Sequence, residues 1–188
     1  MRKEVLWFSV LLMLVAVIIT PSQAQNPNLY RNTIYAFSIL FPDGWKQRSG
    51  QTPHTLVIAE SSSGDSIVIQ AWQLPRNVTL DDYSESELRG MIRDNFNKLK
   101  LTYTDIVLDN SGITHISNKK SIWMSCTYSI KQAFADTKVT MMHYQVYHER
   151  KMVQIICGSP VQRYKQVQGT LLNSVRSFIF EDPSWYDK

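Results

Sequence analysis

The sequence is poor in the residues that usually announce chemistry. It holds two cysteines, Cys126 and Cys157, and neither sits in a C-x-x-C pair, so the common zinc and dithiol spacings are missing. There is no H-E-x-x-H run and no G-x-S-x-G elbow. His54, His115, His143 and His148 stand apart in sequence from any Ser or Cys with an orienting acid, so the familiar hydrolase signatures do not apply. The 7 glycines are scattered and form no phosphate-cradling loop. Charged residues make up only 19% of the chain, and the formal net charge of +4 is dispersed in short clusters such as Lys119-Lys120 and Arg150-Lys151. Nucleic-acid binders concentrate basic residues on one face, so no nucleic acid is expected as a partner. No long Gly, Ser or Pro tract and no internal repeat divides the chain, which reads as one domain.

What the chain does have begins with an apolar run from Val5 to Ile19, preceded by Arg2-Lys3 and followed by Ser22-Gln23-Ala24. This is the pattern of a signal peptide, residues 1–24, with cleavage expected before Gln25. A spanning helix needs about 20 apolar residues. This run is shorter and is halted by Pro21, so no membrane span is expected after cleavage. Loss of Arg2, Lys3 and Glu4 removes a net charge of +1 and lowers the +4 to +3. The expected product is a single secreted or periplasmic domain, residues 25–188.

Residues 26–33 are polar and read as a loose lead-in. Tyr35, Phe37, Ile39 and Phe41 then alternate with smaller or outward residues, the period of a strand with one apolar face, and Pro42-Asp43-Gly44 forces a turn before Trp45. Two further strands are expected at His54–Glu60 and Ser66–Leu74, joined through Ser61-Ser62-Ser63-Gly64-Asp65. Thr79 and Asp82 have the spacing of a helix cap, and Leu88, Met91, Ile92, Phe96 and Leu99 follow at helical spacing, so a helix is expected over Leu80–Lys100. Asp81, Asp82, Glu85 and Glu87 crowd its first turns, where they oppose the helix dipole. Thr79 also closes the sequon Asn77-Val78-Thr79, and its role as a cap is the reading favoured here.

Strands are expected at Thr104–Asn110, Ile113–Asn118, Ser121–Lys131, Lys138–His148 and Lys151–Gly158, with connections at Asn110-Ser111-Gly112, Ala133–Thr137 and His148–Lys151, spaced as an antiparallel meander. Ser159-Pro160-Val161-Gln162 then reads as cap, first helical residue and capping-box partner of a last helix, ending near Phe180. Segregated helices with consecutive antiparallel strands give an α+β class, an antiparallel sheet of about six to seven strands flanked by helices.

The stretch from Tyr35 to Trp45, with the order strands, helix, many strands, helix, resembles the PsbP/Mog-type family. That family includes the PsbP subunit of photosystem II, nuclear Ran-binding Mog proteins and exported bacterial proteins. The resemblance implies a scaffold and no particular chemistry, because its members share none. No functional position of the family has a counterpart among these residues.

Three sets of residues remain as candidates. An even cysteine count in an exported chain makes a Cys126–Cys157 disulfide possible, although a meander would put a strand between them. Two interstrand spacings are about 9 to 10 Å, and a bridge needs α-carbons within about 7 Å. His143 lies near the level of both, so Cys126, His143 and Cys157 could line up across three strands as ligands for a soft metal, subject to a register that sequence does not fix. Trp72 and Trp123 fall in strands, where aromatics fill cores, or else present a binding surface for a protein or small ligand. No cofactor is expected. These residues point to an exported, non-catalytic binding or assembly factor of the cell envelope; the alternative is a cleft-based hydrolase or metal-binding protein.

Overall fold

The computed structural model describes residues 26–103, 105–131 and 136–182. The expected signal peptide lies outside the described residues, as do Pro183 to Trp185 of the tail and most of the turn expected at Ala133–Thr137. The described residues form ten strands and two α-helices. The strands are β1 (Leu29–Asn32), β2 (Phe37–Leu40), β3 (Lys46–Ser49), β4 (Thr55–Glu60), β5 (Ser66–Gln73), β6 (Val107–Ile116), β7 (Lys119–Ile130), β8 (Thr137–His148), β9 (Lys151–Pro160) and β10 (Ile179–Phe180). Helices α1 (Glu85–Thr102) and α2 (Val161–Ser177) follow β5 and β9. Seven strands make one antiparallel sheet in the order β3-β4-β5-β9-β8-β7-β6, and β1-β2-β10 make a second.

The α+β class therefore holds, with corrections at particular residues. The lead-in contains β1, because Leu29 to Asn32 pairs residue by residue with Leu40 to Phe37. Accordingly β2 does not start the main sheet; Ala36, at φ 49, turns the chain into the small one. Pro42 to Trp45 closes the expected turn with a backbone bond from Trp45 N to Pro42 O at 3.3 Å, and Gly44 takes the positive φ of 76 that a side chain would strain. The polar residues after Trp45 include an exposed edge strand, β3.

Thr79 caps only a single turn of 3-10 helix, Leu80–Asp82. The longer helix starts at a separate capping box, in which Ser84 Oγ accepts from Glu87 N and the Glu87 carboxylate accepts from Ser84 N. The turn expected at Asn110-Ser111-Gly112 is not made: these residues pair with Ser125, Met124 and Trp123, a bulge between Leu108 and Asn110 takes up the irregularity, and β6 runs through. The real turn is Ser117-Asn118, both at positive φ, as a two-residue hairpin requires.

Side-chain alternation divides the sheet into two faces. On one, α2 and the small sheet bury the main core, including Phe37, Phe41, Ile69, Ile155, Leu171 and Phe178. On the other, α1 covers β6 and β7 and buries two smaller clusters, Leu80, Leu88, Ile92 and Ile122 in one and Ile106, Met124, Cys126 and Met141 in the other. The cover is incomplete: Ile58, Val68, Gln70, Gln154 and Ile156, on β4, β5 and β9, are only partly buried.

One buried carboxylate ties the two halves together. Asp65, 1% exposed, accepts from Ser61 Oγ at 2.8 Å, Ser159 Oγ at 2.8 Å and Arg163 Nη2 at 3.2 Å. Gly64, at φ 85, shapes the turn that delivers it. Ser159 therefore does not cap α2 as its sequence position suggested: its hydroxyl is engaged by Asp65, β9 continues to Pro160, and Pro160 occupies the cap position with no side-chain bond. Burial works to raise the Asp65 pKa, but the hydrogen bonds from Arg163, Ser159 and Ser61 outweigh it and hold the carboxyl below its ordinary range. A depressed folded pKa contributes stability above the unfolded value, and that stability is lost as pH falls through the folded one. Asp65→Ala should lower unfolding free energy by about 2–4 kcal/mol at pH 7, since it strands a buried hydroxyl and breaks the pair. Urea denaturation checks this: the midpoint should fall with an unchanged slope.

Candidate functional site

The partial cover on the α1 face leaves a cavity of 440 Å³ beside the C-terminal end of that helix. Leu99, Thr102 and Tyr103 form its overhang. Its floor comes from alternate residues of four adjacent strands: Val68 and Gln70 of β5, Gln154, Ile156 and Gly158 of β9, Val139, Met141 and His143 of β8, and Tyr128 and Ile130 of β7. The register explains the selection, because Val68, Ile156, His143 and Met124 fall in one transverse row and all face the same way. One wall is aromatic: the rings of Tyr103 and Tyr128 are 4.2 Å apart between centroids.

His143 is the unusual member. Val139 to Val146 of β8 are buried without a break, since both faces are covered there, and His143 is 6% exposed. Neither Nδ1 nor Nε2 has a hydrogen-bond partner among the described residues. Burial lowers its pKa to about 4; the Gln154 side chain alongside opposes this in part but falls short of a well-formed hydrogen bond. At neutral pH the imidazole is therefore uncharged. Nearby Gln145 shows what satisfaction looks like here, accepting from Asn95 Nδ2 at 2.9 Å and from the Tyr147 hydroxyl at 3.0 Å. Among the described residues, no Asp, Glu, Lys or Arg lines the cavity. Burial, aided by Tyr103, also pushes the Tyr128 phenol up to about 12, so it stays protonated. The cavity presents hydrogen-bonding groups and no charge.

Of the residues singled out from sequence, the structure brings Cys126 and His143 onto the same face and separates them from Cys157. Cys126 stands level with Met141 and Gly158, whereas Cys157 stands level with Met142 and Ser125 on the α2 face. The three do not form a row. A disulfide is not made either: both thiols are free and buried, β8 runs between their strands, and they point to opposite faces of the sheet. Burial pushes each thiol up to about 12. Trp72 lies on the cavity face, stacked on His54 at 5.0 Å between ring centroids, while Trp123 lies on the α2 face over Tyr144 at 6.3 Å. The two tryptophans cannot share one binding surface. Sequence reading passed over Val68, Gln154 and Tyr128, whose convergence depends on β5 pairing with β9.

Two measurements follow from this geometry. His143→Leu removes a buried polar group that has no partner, and should raise unfolding free energy at pH 7 by about 1–2 kcal/mol. The unfolded imidazole gains a proton below about pH 6.5 and the folded one only near pH 4. The folded state therefore loses stability as pH falls between these values, by up to roughly 3 kcal/mol; half-buried His148, whose pKa burial also lowers, adds in the same sense. Urea titrations over that range should be flatter for His143→Leu than for wild type. Intact-mass spectra of the folded protein with and without reductant should coincide; a 2 Da difference, the two hydrogens lost on bridging, would reveal a bridge.

No protein-family model matches the chain, and no curated protein matches its sequence. Solved structures do. Cyanobacterial PsbP (CyanoP) from Synechocystis superposes with a TM-score of 0.61 at 13% identity, over 81% of this chain and 91% of that one. The Saccharomyces cerevisiae Ran-binding protein Mog1p gives 0.55 at 12% identity, over 83% and 96%. LpqN, described as involved in cell envelope biogenesis of Mycobacterium tuberculosis, gives 0.53 at 9% identity, over 78% and 83%. Identities this low speak to architecture alone, and on architecture they agree with the element order and sheet topology above: the chain has the PsbP/Mog-type fold.

Proposed function

We propose that the chain is an exported, non-catalytic binding or assembly factor of the cell envelope, and that it binds through the cavity between the end of α1 and the open half of the sheet. The observation that carries this reading is a 440 Å³ cavity that, among the described residues, has no charged side chain in its lining and an unpartnered imidazole in its floor. Ligand sites are commonly concave, mostly apolar and furnished with a few convergent polar groups. The groups present are suited to holding a molecule and poorly suited to attacking one, since His143 is a weak base at a pKa of about 4 and Tyr128 keeps its proton up to about 12. The signal-peptide pattern of residues 1–24 and the envelope role described for LpqN both favour export. Mog1p, a Ran-binding protein, is an instance of this fold serving a protein partner. Among the described residues no helix is long and apolar enough to cross a membrane.

A second reading has one observation in its favour. Cys126 pairs with Met141 and Met124 pairs with His143, all four on the α1 face, which sets three sulfurs and an imidazole side by side as soft metals prefer. Metal analysis of protein purified without chelators decides it: a stoichiometric soft metal would replace the organic-ligand reading.

The direct test compares wild type with Val68→Trp, which fills the cavity from a partly exposed position. Both are purified from envelopes in mature form, and their organic extracts are compared by mass spectrometry. A species enriched on wild type and reduced about tenfold or more on the filled variant is expected, the loss of roughly 1.4 kcal/mol or more of contact. Equal recovery on both would place binding elsewhere.

A further inference from the structure

We propose that the cavity selects an uncharged ligand with an apolar body and a single hydroxyl or carbonyl end, and that His143 is the residue that reads that end. This rests on the cavity being the binding site, and it is carried by what the cavity contains and lacks. Val68, Val139, Met141 and Ile156 offer apolar contact along the floor, with the Tyr103 and Tyr128 rings standing over it. An ionised ligand would have to surrender its hydration there without meeting an opposite charge, because among the described residues no Asp, Glu, Lys or Arg lines the site, His143 is uncharged, and both Tyr128 and nearby Cys126 remain protonated at neutral pH.

The floor nevertheless holds a buried imidazole with no well-formed hydrogen bond at either ring nitrogen. A neutral imidazole has one N–H to donate and one ring nitrogen to accept. Its neighbours in the transverse row, Ile156 and Met124, have nothing to give it; in the adjacent row Gln145 is turned to Asn95 and Tyr147 and Gln70 to Thr55, while Gln154 lies alongside the ring without a well-formed hydrogen bond to it. Leaving a buried donor and acceptor unmade disfavours the empty protein, and a ligand that completes them recovers that loss. A hydroxyl can meet either ring nitrogen, and a carbonyl can accept from the N–H. A carboxylate could accept but would bring its charge, and an ammonium could donate but would bring the opposite one. His143 thereby sets specificity against both, in the way that a site with an unfilled polar group rejects molecules that cannot fill it.

The test uses three probes of one chain length, 1-octanol, octanoate and octylammonium, titrated into the folded protein at pH 7.5 and followed by calorimetry and by the ring nitrogen resonances of His143. Octanol should bind at least about tenfold more tightly than either ion, and should shift the ring resonances as a new hydrogen bond forms. His143→Leu should lose about tenfold in octanol affinity, whereas His143→Gln, which keeps a donor and an acceptor, should stay within about threefold of wild type. Thermal unfolding of each variant confirms that it is folded. Octanoate or octylammonium binding as well as octanol would overturn the proposal, and so would an octanol affinity indifferent to His143→Leu. If octanol binds wild type and Val68→Trp alike, or no probe binds wild type, the cavity reading itself fails first.

Discussion

The pairing of β5 with β9 is the interaction on which the rest of the molecule depends. Eight residues run in unbroken antiparallel register from Ser66 opposite Gly158 to Gln73 opposite Lys151, joining an early set of strands to a late meander. Without it there are two partial sheets, each with a raw edge of unpaired backbone groups. With it there is one sheet of seven strands and a continuous core beneath α2. The join lies at the end where Asp65 bonds Ser159 and Arg163, so the same residues that close the β4–β5 hairpin also seat the start of α2. Contacts this distant along the chain are slow to find and carry a substantial loop-closure entropy. A buried, multiply hydrogen-bonded carboxylate is suited to holding them once found.

From that join follows the asymmetry of the two faces. The α2 face receives a helix and a small second sheet, and its residues are sealed. The α1 face receives one helix, which lies over β6 and β7 and leaves part of β4, β5 and β9 uncovered. The cavity is the consequence of one cover too few, and its polar character comes from the few residues that happen to alternate onto that face. The fold is shared with CyanoP and Mog1p, but likeness at this level extends to the backbone frame. The lining of the uncovered half is set by side chains particular to this sequence.

Much of the frame was legible without coordinates because it rests on local periodicity. Residues 137–148 and 151–160 alternate or run apolar over lengths that only strands of a sheet buried on both sides explain, and the stripe from Val161 to Val175 admits only a helix. Errors arose where two local devices compete. Thr79 and Ser84 are both sound caps, and the one followed by its own capping-box glutamate won. Asn110-Ser111-Gly112 has turn chemistry, but the bulge beside it absorbs the irregularity and keeps the ladder intact. Ser159 has cap chemistry, but a buried carboxylate held its hydroxyl more strongly than free helix amides could. The site was less legible, for a physical reason: which face a strand residue takes changes with a shift of one position. His143 was identifiable as a polar residue in an apolar strand; its company of Val68, Gln154 and Tyr128 depends on pairings across the whole chain.

The two thiols carry a consequence for the route to this structure. They can meet only while β8 is absent from between β7 and β9, and a bond made then would tether those strands too closely for β8 to enter. In an oxidising compartment, folding is thus a race between strand insertion and thiol chemistry. Hairpins close in microseconds, whereas disulfides form over seconds to hours, so the local meander β7-β8-β9 is positioned to finish first. Once it has, the backbone of β8 keeps each sulfur from the other, and both remain reduced in the finished structure even where the medium is oxidising.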